Sequence, residues 1–344
     1  MDSKYFDLAS YLAYGNMKPS MVKCMIKLKF IFSLFVIFVI FISCQTYTFD
    51  RKNPYPNMEI LRFPNSQAYL FNSKVSSNKL IIVLEGSGWS SVLGVKQKNI
   101  WPEVRYGAQF IQELNNDYTF LIPEKLKRQP GMVYFEDIED RANYTAENLL
   151  ACYSESINSY LNDNNFSSVI LIAGSEGAIL LPLLYEKIDK KDDITMMVSL
   201  QFGGFSMYEA YKILSESLIA PQDYKNMYKH IVEVYEFMED YKTKNDEINI
   251  TPEEDFYGFN YRWFDSFLGI RPFDYYKNIT IPMLFVHGEA DYNIPVKSTI
   301  YIQENLPDKP FDYKYFEWDH QPRNYSEMIR FRKEVAEWII MKTP

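Results

Sequence analysis

The chain has 344 residues, enough for one domain with a full core, and 47% of them are apolar, which argues against a disordered polypeptide. Its net charge of -9, without any long Lys/Arg cluster, argues against a nucleic-acid binder, whose affinity rests on basic surface. Cys24, Cys44 and Cys152 have no CxxC spacing, which argues against a zinc site, and Cys24 and Cys44 flank the apolar run at 30–43, which argues against a disulfide framework.

The first element is an apolar run at residues 30–43, FIFSLFVIFVIFIS. It is short for a membrane-spanning helix, which needs about 20 residues, and suits the hydrophobic region of a secretory signal. Lys23, Lys27 and Lys29 precede it as a positive flank. Met21 and Met25 are alternative starts to Met1 and would make residues 1–20 an upstream extension. The run ends at Phe41-Ile42-Ser43-Cys44, which resembles a bacterial lipoprotein signal, with Phe41 where that pattern prefers Leu. The resemblance implies that Cys44 is lipidated and becomes the first mature residue. An uncleaved N-terminal anchor helix is the other reading, and both imply an exported, membrane-tethered protein. The expected organisation is an extension and signal at 1–43, a tether at 44–57 containing Pro54 and Pro56, and a folded domain at 58–342.

From residue 58 onward, strand and helix signals alternate. Short β-rich runs lie at 59–63, 68–71, 79–84 and 118–122. Leu149, Leu150, Tyr153, Ile157, Tyr160 and Leu161 give 145–161 a helical spacing. On that stretch Cys152 reads as a small buried apolar residue. The run SSVILI at 167–172 fits a strand buried on both faces. A helix follows at 176–187 and a strand at 195–200. Residues 205–276 then read as a helix-rich insertion, full of Tyr and Phe, with no clear strand. The alternation resumes with a strand at 282–286, a helix at 296–304, a strand at 312–316 and a helix at 325–341. Alternating β and α predicts an α/β fold, a mostly parallel sheet covered on both sides, with the insertion above it.

Three segments carry the candidate chemistry. Ala173-Gly174-Ser175-Glu176-Gly177 sits between a buried strand and a helix, where small neighbours let the backbone bend and lift a hydroxyl clear of the sheet. Ser175 is there either a nucleophile or the cap of the next helix. His287-Gly288-Glu289-Ala290-Asp291 closes a later strand. Asp291 is the candidate acid and Glu289 its runner-up, while a turn-fixing Asp is the bland alternative. Trp318-Asp319-His320-Gln321 follows the last strand. Of the three histidines, His230 lies in the insertion and reads as a surface or packing residue, and His287 reads as structural. His320 lies on a loop after the acid and is the candidate general base.

The order Ser175, Asp291, His320 resembles the α/β-hydrolase superfamily over roughly residues 58–342. The resemblance implies a serine hydrolase that needs no metal or organic cofactor. It also implies an oxyanion hole formed by the backbone N–H groups of Ser87 and Glu176. The loop Leu84-Glu85-Gly86-Ser87-Gly88-Trp89 departs from the superfamily by placing Glu85 where a His is usual. A carboxylic-ester hydrolase leads among the activities it implies. An aminopeptidase or acyl-peptide hydrolase stands second; Glu233, Glu236, Glu239 and Asp240 could receive a free amine, although a solvated, charged helix face is the favoured reading of these four. A non-catalytic, ligand-binding surface lipoprotein stands third. The expected partners are a small ester or peptide substrate and, through Cys44 or the anchor, a membrane.

Overall fold

The computed structural model describes residues 58–88, 91–92, 110–111, 113–126, 143–244, 255–256 and 259–343. The leader, the tether and Cys44 lie outside the described residues. Among the described residues the strands are β1 (Met58–Arg62), β2 (Gln67–Phe71), β3 (Lys79–Leu84), β4 (Thr119–Pro123), β5 (Ser168–Gly174), β6 (Ile194–Leu200), β7 (Asp255–Phe256), β8 (Phe259–Asn260), β9 (Met283–Gly288) and β10 (Phe311–Phe316). The described helices are α1 (Ala146–Asp163), α2 (Glu176–Lys187), α3 (Met207–Ser215), α4 (Gln222–Lys244), α5 (Tyr261–Leu268), α6 (Phe273–Tyr276), α7 (Lys297–Asn305) and α8 (Tyr325–Lys342).

Eight strands form one sheet in the order β1-β2-β4-β3-β5-β6-β9-β10. β2 runs antiparallel to both of its neighbours, and every other pairing is parallel. Parallel neighbours need crossover connections, and α1, α2 and α7 lie in those that lead into β5, β6 and β10. The central strands β3 and β5 are apolar along nearly their whole length because both faces are covered. Leu80, Ile82, Val169 and Leu171 pack on one face with Leu149, Tyr153 and Ile157 of α1 and with α2. Ile81, Val83, Ile170 and Ile172 pack on the other with Phe110, Leu114 and Phe331, Val335 and Ile339 of α8. The alternating direction of strand side chains thus builds two cores from one sheet. All described residues belong to one compact unit, Arg51–Pro344.

Helix starts follow their capping chemistry. Thr145 accepts a hydrogen bond from the Asn148 N–H at the head of α1, and Asn324 accepts one from the Glu327 N–H at the head of α8. At α3, Ser206 and Glu209 form a reciprocal capping box.

Two expectations need correction. The insertion contains a strand pair, with β7 and β8 antiparallel through Asp255–Asn260 and Phe256–Phe259. Strands of two residues are too short to show alternation in a sequence. Cys152 is only half-buried, and its thiol reaches the Asn65 carbonyl at 3.8 Å. It sits at the edge of the α1 stripe, beside Tyr153 rather than in line with it. No described helix is long and apolar enough to cross a membrane.

Candidate active site

The carboxyl ends of β3, β5, β6, β9 and β10 lie side by side, because Leu84 pairs with Ala173, Gly174 with Leu200, Leu200 with Val286, and Phe316 with Gly288. Side chains just beyond these strands therefore converge, as in open α/β sheets generally. Ser175 follows β5, Asp291 follows β9 and His320 follows β10.

Ser175 has φ 49° and ψ -114°, a conformation L-residues rarely adopt. Its N–H donates to the Leu200 carbonyl at 2.8 Å, which pins the turn to the end of β6. The side chain makes no capping bond to α2. Its Oγ instead lies 3.0 Å from His320 Nε2. Of the two readings of Ser175, helix cap is therefore not the one its hydroxyl adopts. Close approach requires glycine at 177, since a Cβ there would lie 2.8 Å from the Glu85 carbonyl oxygen and 2.9 Å from that of Leu84.

His320 Nδ1 lies 2.8 Å from Asp291 Oδ2. An ionised carboxylate only accepts, so Nδ1 carries the proton and Nε2 is left to accept from the Ser175 hydroxyl. Asp291 is fully buried, and its Oδ1 accepts from the N–H groups of Asn293 (2.8 Å) and Ile294 (2.9 Å). Glu289, the runner-up acid, is exposed. Burial alone would raise the Asp291 pKa, but the His320 charge and bonds from His287 and His320 hold it well below the usual carboxylate range.

His287 is fully buried 3.5 Å from Asp291 Oδ2. Its Nε2 donates to the Ile294 carbonyl at 2.9 Å, so in the neutral ring Nδ1 accepts from the Thr299 hydroxyl at 2.7 Å. It fastens the loop that carries Asp291 to α7, in keeping with a structural role. His230 is exposed on α4. Gly288 lets the His320 loop close over β9, because a Cβ there would collide with the carbonyls of Asp319 and Trp318.

Ser175 and His320 open into a cavity of about 360 Å³. Ser87 and Glu176 line it too. Ser87 is exposed. Glu176 is the first residue of α2, where backbone N–H groups have no partner within the helix. Glu85 is buried in the wall. The insertion supplies Met207 and Tyr211 from α3, Met227 and Tyr228 from α4, and Trp263 from α5. Tyr211 and Tyr228 stack with ring centres 4.7 Å apart. Both phenols are uncharged at neutral pH, and burial raises their pKa values further above it. Glu233, Glu236, Glu239 and Asp240 are exposed on α4, and none lines the cavity. They lie on its solvated face, and Glu236 binds Tyr208 and Lys212 there.

The side-chain roles of three buried charged residues, Glu176, Glu124 and Lys125, escape sequence reading. Glu176 accepts from the Tyr144 hydroxyl at 2.6 Å and from Trp263 Nε1 at 2.8 Å, which ties the turn after Ser175 to the insertion. Glu124 and Lys125, just after β4, contact the loop that follows β3. A charged pair closing an apolar strand was the only signal they left in the sequence.

The same architecture occurs in solved structures. An acylaminoacyl peptidase from Pyrococcus horikoshii matches with a TM-score of 0.51 at 12% identity, covering 83% of this chain and 42% of that one. This chain thus spans less than half the length of that peptidase. Est1E from Butyrivibrio proteoclasticus matches with a TM-score of 0.51 at 13% identity, covering 83% and 98%. Est1E with ferulic acid bound matches at 16% identity with the same TM-score and coverage. No family model and no curated protein sequence matches the chain. By its sheet, its crossovers and these structural matches, the chain has the α/β-hydrolase fold.

Proposed function

We propose that the protein is a serine hydrolase that cleaves a carboxylic ester through an acyl-enzyme. The observation that carries this reading is the chain of hydrogen bonds from Ser175 Oγ through His320 to buried Asp291, with Ser175 held at φ 49°. Ser175 Oγ attacks the ester carbonyl while His320 Nε2 takes its proton. Asp291 holds the imidazole tautomer and stabilises the imidazolium. The backbone N–H groups of Ser87 and Glu176 receive the oxyanion. Collapse of the tetrahedral intermediate expels the alcohol, protonated by His320. Water, deprotonated by the same imidazole, then attacks the acyl-enzyme and releases the acid. An uncharged wall of Tyr211, Tyr228 and Met207 suits an apolar acyl or alkoxy group.

The test is a fluorophosphonate probe, followed by ester and aminoacyl-amide substrates, on wild type and Ser175→Ala. Labelling and ester turnover that both vanish in Ser175→Ala are expected. Turnover of amides but not esters would put the peptidase reading first. An unlabelled, inactive wild type would leave a ligand-binding protein.

We propose further that the chain is exported and tethered by lipid on Cys44, on the strength of the Ser43-Cys44 pattern after the apolar run. Cys44→Ala should move the protein from the membrane to the soluble fraction. Retention in the membrane would favour the uncleaved anchor.

A further inference from the structure

The two expected oxyanion donors come from separate parts of the chain, Ser87 from the loop after β3 and Glu176 from the turn after β5. One buried cation touches both parts. Lys125 is fully buried, and its Nζ donates to the Gly88 carbonyl at 3.0 Å. The same Nζ lies 3.9 Å from Glu176 Oε1 and 5.5 Å from the centre of the Tyr144 ring. The Tyr144 hydroxyl donates to that same Oε1.

The neighbouring Glu124 grips the far end of the Ser87 loop. Its carboxylate accepts from the Ser91 hydroxyl at 2.7 Å and from the Val92 N–H at 3.2 Å. It is held in turn by the Tyr69 hydroxyl at 2.9 Å and the Lys125 N–H at 3.0 Å. The dipeptide after β4 thus clamps the loop at Gly88 and at Ser91-Val92, and the ammonium links that loop to Glu176. Burying an ammonium is costly unless it is paired, and replacing such a group by apolar packing is often neutral or stabilising. Stability alone therefore gives little reason for a lysine here, whereas catalysis does. Oxyanion donors act only when aimed to within a few tenths of an ångström of the developing charge.

We infer that Lys125 is a positioning residue that sets the spacing between the two halves of the oxyanion hole. The inference rests on the serine-hydrolase reading above. Lys125 touches no reacting atom, so its loss should act on the transition state and leave ground-state binding nearly unchanged.

The experiment compares wild type, Lys125→Met and Glu176→Gln in ester hydrolysis and in inhibition by a trifluoromethyl ketone, whose Ser175 adduct places an oxygen in the hole. Lys125→Met is expected to lower kcat about 10- to 100-fold with KM changed by less than about threefold. The inhibition constant should rise by the factor that kcat/KM falls. Glu176→Gln removes the ion pair and leaves one acceptor oxygen where Tyr144 and Trp263 now use two, so it should show the same split; if Lys125→Met does not fold, Lys125→Gln, which keeps a polar side chain without the charge, decides the matter. Wild-type kcat in the folded variants would overturn the inference. So would a loss of kcat with the inhibition constant unmoved. An inactive, unlabelled wild type overturns the hydrolase reading and this inference with it, whereas active enzyme with indifferent variants overturns the role of Lys125 alone.

Discussion

Asp291 Oδ2 faces two histidines, His320 at 2.8 Å and His287 at 3.5 Å, while Oδ1 takes two backbone N–H groups. A carboxylate so placed is costly to protonate. Its folded pKa lies below the unfolded value, so its stabilisation is present above about pH 4 and is lost as the pH falls below that. Asp291→Asn should keep the fold at pH 7 and lower ester kcat by roughly 10,000-fold, because the neutral amide no longer fixes the imidazole tautomer. Urea midpoints at pH 7 and below pH 4 should also lie closer together in the variant than in wild type. Equal acid sensitivity would show that the stabilisation resides elsewhere. The three residues were legible as candidates because each occupies the first loop after a strand signal. Their contacts were not, since Ser175 and His320 meet across 145 positions of sequence.

At the scale of elements, strand ends set the geometry and two glycines let them close. Gly177 allows α2 to start against the Leu84 and Glu85 carbonyls, and Gly288 allows the His320 loop to lie on β9. Gly177→Ala should force the β3 loop away from Ser175. We expect a loss of about 1–3 kcal/mol in stability and a fall in kcat larger than any change in KM. Thermal melts and steady-state kinetics check this, and a variant with wild-type kcat would mean that the loop relaxes without moving the site. Most element boundaries read from periodicity fall within one or two residues of those observed, and α2 matches end to end. The β7–β8 pair was illegible because two residues carry no period.

At the scale of the molecule, the segment between β6 and β9 adds Met207, Tyr211, Met227, Tyr228 and Trp263 to the cavity wall. Met207 of α3 is buried in that wall. Met207→Ala should cost about 2 kcal/mol and shift the ester preference toward bulkier groups. Ratios of kcat/KM across a graded series of esters measure the shift, and unchanged ratios would mean that the substrate does not reach α3. The sequence by itself determined the fold class, the order of the elements and the three candidate residues. Hydrophobic period, small-residue turns and chain order are local properties, and they survive without knowledge of contacts. The tertiary structure alone decided that Asp291, not Glu289, faces His320, and that the Ser175 hydroxyl is given to a histidine, not to a helix cap. It also decided that Lys125 joins Gly88 to Glu176. Each of these depends on which loops the sheet register brings together, and register is fixed by packing between segments far apart in the chain.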